Sequence, residues 1–310
     1  MTTTADDAEG QGPSAPRGLR IYAHCWTLMP VMGPPEAARF AAENGFAGLE
    51  LFCNPCEFWP GLIPAATLDA LGAIGRDEGI EYSLYGGYTL NAATRLPELK
   101  ALDTETMKRT LEVAAHVGVK VLCVHPGVVV ELRNLERKGV RSQTVRFDRE
   151  RLIEDAWKSS VEAIGGWADL AAPAGVTIVV ENDVHVHHTV ATTVQSLAAL
   201  VEAVKRPNVK VNFDTGHAFL GAGLTEEFDV LEHLIGHFHL DDSATPEVSD
   251  HLPLGEGAVP FPAIARRLGS ADAALAIEIY APDRAVEATL ASRDYILKVI
   301  AEAEAPGEPG

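Results

Sequence analysis

The run Val176-Thr-Ile-Val-Val-Glu181 is short, β-branched and ends in a carboxylate, and Asn208-Val-Lys-Val-Asn-Phe-Asp214 repeats the pattern. Between them, residues 189–203 are rich in Ala, Leu and Val over a helical length. A strand, a helix and a second strand in this order form a βαβ unit, which implies a parallel sheet. The same alternation extends in both directions. Strands are predicted at 19–24, 47–52, 80–85, 119–125, 176–181, 208–214, 236–241 and 274–279. Helices are predicted near 35–44, 64–78, 103–117, 148–172, 189–203, 225–233, 260–268 and 283–302.

Eight such units without a second domain predict closure into a single (β/α)8 TIM barrel over residues 18–302. A doubly wound open sheet is the alternative, but no Gly-rich phosphate-binding turn follows the first strand. Residues 1–17 are polar and acidic with Gly and Pro, and read as a disordered tail; residues 303–310 read as a flexible one.

The 310 residues carry 25 Lys and Arg against 44 Asp and Glu, so the net charge is 25 − 44 = −19. A field this acidic repels polyanions and anionic membranes, so neither nucleic acid nor membrane is an expected partner. The start of the chain has no apolar signal segment, and no run is long enough to span a bilayer. The expected compartment is the cytoplasm, with Cys25, Cys53, Cys56 and Cys123 as free thiols.

Barrel strands are buried on both faces and are ordinarily apolar. Here most end in a titratable or hydrogen-bonding residue: His24, Tyr85, His125, Glu181, Asp214, His239 and Glu278. His217 follows the sixth strand and His251 lies in the loop after the seventh. In a barrel these ends meet at one mouth. Carboxylates so close together would destabilise the fold unless a positive charge sat among them. Glu181, Asp214, His239 and Glu278 offer three carboxylates and one imidazole. That set predicts one divalent ion, Mn2+ foremost, with Mg2+, Co2+ or Zn2+ compatible.

At these residues the chain resembles the xylose-isomerase-like TIM barrels, the sugar phosphate isomerase/epimerase family related to the apurinic endonucleases. The resemblance covers about residues 19–300 and rests on motifs in matching order. They are His125-Pro-Gly127, Glu181-Asn182, Asp214-Thr-Gly-His217, His239-Leu-Asp-Asp-Ser243, His251-Leu-Pro-Leu-Gly-Glu-Gly257 and Glu278. It implies that Glu181, Asp214, His239 and Glu278 bind the ion, and that Glu181 and Glu278 also act as acid and base. His217 would act with them at a substrate oxygen. Tyr85, His125, His187, His217 and His251 would line the substrate site. Many such barrels are dimers or tetramers, so a homo-oligomer is compatible.

The chain also departs from the family's branches. Tyr85 stands where the endonucleases place a third-strand histidine, and Asp241-Asp242-Ser243 stands where ketose 3-epimerases carry an arginine. His187 occupies the position of a glutamate in those epimerases.

The function these features imply is a metal-dependent isomerase or epimerase acting on a small sugar, keto-sugar or polyol. A metal-stabilised enediolate would form as one glutamate removes a carbon-bound proton and the other returns it. Expulsion of a β-substituent from the same enediolate would make a lyase or dehydratase. A zinc phosphodiesterase of the apurinic-endonuclease type is a further alternative, and a non-catalytic binding barrel a third.

Two other features stand out. His185, His187 and His188 follow Glu181 closely and could face the mouth. Residues 133–151 contain seven of the 25 basic residues, Arg133, Arg137, Lys138, Arg141, Arg146, Arg149 and Arg151. Such a segment reads either as a lid for an anion or as a solvated loop. Cys53-Asn-Pro-Cys56 has no second CxxC and reads as loop packing beside Phe52, Phe58 and Trp59.

Overall fold

A computed structural model describes residues 18–53, 58–86, 89–137, 148–183 and 188–305. Eight parallel strands close into one barrel in chain order. They are β1 (Arg20–His24), β2 (Gly48–Phe52), β3 (Glu81–Tyr85), β4 (Val121–Val124), β5 (Thr177–Glu181), β6 (Val209–Asp214), β7 (Ile235–Leu240) and β8 (Ala274–Ile277). β8 pairs with β1 through Ala274 opposite Arg20 and Ala276 opposite Tyr22, which closes the ring. The single (β/α)8 barrel expected from the alternation is what forms.

The large helices lie at Pro34–Glu43, Ala65–Glu78, Pro97–Val117, Arg149–Ala171, Val194–Val204, Leu224–Leu231 and Ala285–Glu304. Pro97–Val117 starts six residues before the expected 103. Pro97 stands in its first turn, where a missing N–H costs nothing and φ is already helical. The last helix runs two residues past the expected 302. Three short helices, Cys25–Leu28, Val130–Arg137 and Thr215–Leu220, replace loops expected from the sequence. Cys25–Leu28 and Thr215–Leu220 are too brief to show a helical period, and Val130–Arg137 spans about two turns of a segment read as a loop. Part of the basic segment 133–151 is therefore helical, and its residues 138–147 lie outside the described ones.

The main apolar core sits between the sheet and its helices and includes Leu49, Leu84, Leu122, Ile178, Phe213, Phe238 and Leu275. Successive strand residues alternate between that core and the barrel interior. The interior is far more polar. Two small apolar clusters remain there, Tyr22 with Ala274 and Ala276, and Tyr85 with Cys123 and Val179. Around them His24, Glu50, Ser83, Asn212, His237 and His239 are all buried. No described helix is long and apolar enough to cross a membrane.

Candidate metal centre

The barrel register delivers the strand-end residues to one place. Asp214 is opposite His239 across β6 and β7. Glu181 closes β5 beside Asn212, and Glu278 follows β8 with its amide bonded to the Leu240 carbonyl. His239 is the hub. Its Nδ1 lies 2.8 Å from Glu278 Oε2, 3.2 Å from Glu181 Oε1 and 4.0 Å from Asp214 Oδ2. All four residues are buried, and one ligand atom from each lies within 4.8 Å of the others.

The electrostatics fit a bound cation. Burial alone would lower the His239 pKa, but Glu278, Glu50 and Glu181 outweigh it and hold the imidazole well above its ordinary value. Glu278 is pushed up by burial and pulled down harder by His239, and ends well below the ordinary glutamate range. Asp214 is raised, first by burial and then by Glu278, although His251 and His239 oppose the rise. Its Oδ2 accepts no hydrogen bond among the described residues. Three buried carboxylates around one imidazole leave a surplus of negative charge even when that imidazole is protonated. The oxygen-rich set with one nitrogen suits a divalent ion.

Local sequence explains the positioning. Asp214 is the N-cap of Thr215–Leu220, its Oδ1 accepting the His217 amide at 2.7 Å. This turn aims His217 inward, with Nδ1 3.7 Å from both Glu181 Oε1 and Asp214 Oδ1. Asn182 ties β5 to β6, accepting the Asp214 amide at 2.6 Å and donating to its carbonyl at 3.1 Å.

The acidic pair after β7 is structural in its contacts. Asp241 accepts the Gly216 amide at 2.7 Å and faces His251 Nδ1 at 3.2 Å. Asp242 accepts the amides of Ser243, Gly255, Gly257 and Val259 at 2.9–3.0 Å, and so folds the 243–259 loop onto the rim. His251 sits on that loop at a φ of 47°, unusual for a residue with a side chain. Asp214, Asp241 and His251 form a second cluster with donor atoms close enough to share an ion. Asp241 is pushed well above the ordinary aspartate range by burial and by Asp214.

Tyr85 and His125 also reach the mouth. Tyr85 Oη lies 2.8 Å from His125 Nε2, and His125 Nδ1 lies 3.0 Å from Asp183 Oδ2. Burial would lower the His125 pKa, but Asp183 raises it to about 9. His187, expected at the substrate site, and His185 lie outside the described residues. Phe52 stacks on Tyr85, whereas Cys56 is not among the described residues.

His24, read from the sequence as a strand end at the mouth, is fully buried, accepts the Trp26 amide on Nδ1 at 3.0 Å, and turns Nε2 to within 3.8 Å of Glu278. Sequence reasoning missed several other groups. Trp26 stacks on Tyr280 and meets the His251 ring edge-on. Glu50 lies beneath the hub, 3.2 Å from His239 Nε2 and 3.6 Å from His237 Nε2. Burial would raise its carboxyl, but His237 and His239 hold it below the ordinary value. A carboxylate inside the apolar run Gly48-Leu-Glu-Leu-Phe52 was the available signal.

The family model described as xylose isomerase-like TIM barrel matches residues 38–298. The chain belongs to the xylose isomerase-like TIM barrel family. Among curated relatives of this barrel, uncharacterized protein MJ1311 of Methanocaldococcus jannaschii is 23% identical over 231 residues, 73% of this chain and 72% of that one. A probable endonuclease 4 of Natronomonas pharaonis is 22% identical over 191 residues, 57% of this chain and 60% of that one.

Several solved structures superpose along nearly their whole length. A D-tagatose 3-epimerase-like protein gives a TM-score of 0.74 at 19% identity, covering 92% of this chain and 99% of that one. The IOLI protein with a binding zinc atom gives 0.73 at 18%, covering 93% and 100%. The probable 3-DHS dehydratase AsbF of Bacillus anthracis gives 0.69 at 18%, covering 91% and 99%. At these identities the likeness establishes the shared fold.

Proposed function

We propose that this chain is a metal-dependent isomerase or epimerase of a small sugar, keto-sugar or polyol. The observation that carries the reading is the placement of Glu181 and Glu278, both buried, with one oxygen of each within 3.2 Å of His239 Nδ1. Glu181, Asp214, His239 and Glu278 would hold the ion, with Mn2+ foremost. Bound there, the ion would supply Lewis-acid stabilisation of the negative charge that develops as the proton leaves carbon.

The residues of the chain do the rest. One glutamate accepts the proton from a carbon next to a carbonyl. The other, in its acid form, donates a proton to the opposite face of that carbon, which gives epimerisation, or to the neighbouring carbon while the hydroxyl proton passes to the former carbonyl oxygen, which gives isomerisation. His217, beside both Glu181 and Asp214, is placed to donate to a substrate oxygen. Tyr280, Trp26 and Phe52 offer apolar faces at the rim. The relatives support this reading, since one superposed barrel is a D-tagatose 3-epimerase-like protein and another is the IOLI protein with a binding zinc atom.

A lyase is the second reading, and Tyr85-His125-Asp183 favours it. A phenol backed by a histidine and a carboxylate could protonate a departing hydroxyl. The likeness to a probable dehydratase agrees with this. The test is incubation with ketoses and keto-polyols in deuterated water after loading with Mn2+. Deuterium gained at carbon with substrate mass otherwise conserved supports isomerisation or epimerisation, and loss of water supports the lyase. No exchange with any substrate, together with two or three tightly bound zinc ions and abasic-site cleavage, would replace both with the phosphodiesterase.

A further inference from the structure

The hub histidine is held from both sides. His239 Nδ1 faces the carboxylates of Glu181, Asp214 and Glu278, while Nε2 points down the barrel to Glu50 Oε2 at 3.2 Å. Glu50 is fully buried in the middle of β2, on the far side of the ring from the proposed ion. An unpaired carboxylate there would be costly, and no Lys or Arg is within ion-pair distance of it among the described residues. Its neighbours are imidazoles.

His237 completes the arrangement. Its Nδ1 lies 2.9 Å from the Asn212 amide, and its Nε2 lies 3.6 Å from the same Glu50 oxygen. Asn212 Nδ2 has no partner when Oδ1 faces His237. Turning the amide places Nδ2 on His237 Nδ1 and leaves an N–H on Nε2 to point at Glu50. One oxygen of Glu50 then faces an N–H from each of two neighbouring histidines, whose rings meet edge-on at 5.6 Å.

We infer that Glu50 is a positioning residue for the metal centre: it holds the Nε2–H of His239, so that Nδ1 presents its lone pair to the ion among Glu181, Asp214 and Glu278. The physical need is specific. A neutral imidazole has one N–H and one lone pair, and the group that binds one nitrogen decides the role of the other. With three carboxylates crowded at Nδ1, the proton would otherwise settle there, and an arriving cation would have to displace it. A carboxylate on Nε2 opposes that preference, fixes the ring orientation and raises the basicity of the ligand nitrogen. The barrel supplies Glu50 by register: β2 pairs with β1 so that Glu50 stands opposite His24.

This inference rests on the reading of Glu181, Asp214, His239 and Glu278 as a metal centre, and its test separates the two. The full chain is stripped with a chelator and titrated with Zn2+ in competition with a chromophoric chelator, beside Glu50→Gln and Glu50→Leu. Gln keeps the volume and one acceptor, and Leu keeps the approximate volume and no acceptor. Zinc affinity is expected to fall about 10–100-fold in Glu50→Leu and less in Glu50→Gln. In the zinc-loaded wild type, ring nitrogen–proton correlations should show a hydrogen-bonded, slowly exchanging Nε2–H on His239, moved upfield and exchanging faster in Glu50→Leu.

Unchanged zinc affinity in both variants with an unmoved Nε2–H signal would overturn the role of Glu50 and leave the metal centre standing. If Glu50→Leu does not fold, unchanged affinity and signal in Glu50→Gln relative to wild type would do the same. A wild-type chain that takes up no Zn2+, Mn2+ or Co2+ would overturn the metal reading itself.

Discussion

The backbone amide of Gly216 donates to Asp241 Oδ1 across 2.7 Å, joining the turn that carries His217 to the end of β7. Thr215 strengthens the joint, its hydroxyl donating to the Asp241 carbonyl at 2.8 Å and accepting the Asp241 amide at 3.0 Å. A Cβ on residue 216 would overlap the Asp241 carboxylate, which is fully buried and also faces His251. Gly216→Ala should therefore force His217 and Asp241 apart. The expected cost is about 1–3 kcal/mol, the range for overpacking a filled interior. Urea unfolding would measure it, and turnover on any substrate found should fall with it. A variant as stable and as active as the parent would show that the turn yields more freely than this packing implies.

The barrel was legible because strands and helices alternate with two distinct periods, and strand ends were marked by His125, Glu181 and Asp214 in otherwise apolar runs. The meeting of Glu181, Asp214, His239 and Glu278 also followed from strand order, since a parallel barrel sends all strand ends to one side. Residues acting from inside the barrel were harder to read. Glu50 and His237 become neighbours only through closure of the ring, which brings β2 and β7 to the same interior. The pairing of Tyr85 with His125 and Asp183 depends on side-chain directions that no period encodes. Asp241 and Asp242 read as a departure from an arginine, whereas their carboxylates are occupied by backbone amides of Gly216 and of the loop up to Val259.

The proposed acid and base can be separated from the fold. Glu181→Gln and Glu278→Gln keep the side-chain shape and remove proton transfer, so turnover should fall about 100- to 10,000-fold in each. Single-turnover exchange in deuterated water distinguishes them, because each variant should lose exchange with the epimer whose proton faces the replaced glutamate and can retain it with the other epimer. Both should keep the parent's circular dichroism. Substantial turnover in both variants would remove the two glutamates from the mechanism.

The loop that carries His251 hangs on one carboxylate. Asp242 receives Ser243 and Val259 amides on Oδ1 and Gly255 and Gly257 amides on Oδ2. A side chain at Gly257 would overlap Asp242, so the loop can close this tightly only over glycine. In Asp242→Asn, one pair of amides meets an N–H2 instead of an oxygen. Each buried donor left unmatched costs about 1–3 kcal/mol. The expected result is faster proteolysis within residues 243–257 and a loss of stability in urea of about 2 kcal/mol or more. Proteolysis at the parental rate would show that the loop is held by other contacts.

Glu227 gives the sharpest pH dependence. It accepts the Ala222 amide on Oε1 at 3.0 Å and Asn182 Nδ2 on Oε2 at 3.3 Å, bracing the turn after His217 against β5. Burial pushes its carboxyl up to about 7 from 4.5, with the two donors only partly offsetting the rise. A carboxyl raised in the folded state binds its proton more tightly there than in the unfolded chain. Its contribution is therefore intact below about pH 4.5 and is lost as pH climbs through about 7. The full loss is on the order of 3 kcal/mol. Glu227→Gln cannot titrate, so its stability relative to wild type should improve by about 2 kcal/mol or more between pH 5 and pH 8. The amide also sets a donor against Asn182, which adds a constant penalty at every pH, so the diagnostic is the change in the difference and not its sign. Urea melts of both proteins at the two pH values measure it, and parallel pH profiles would show that Glu227 is ionised in the fold at pH 5 as it is at pH 8.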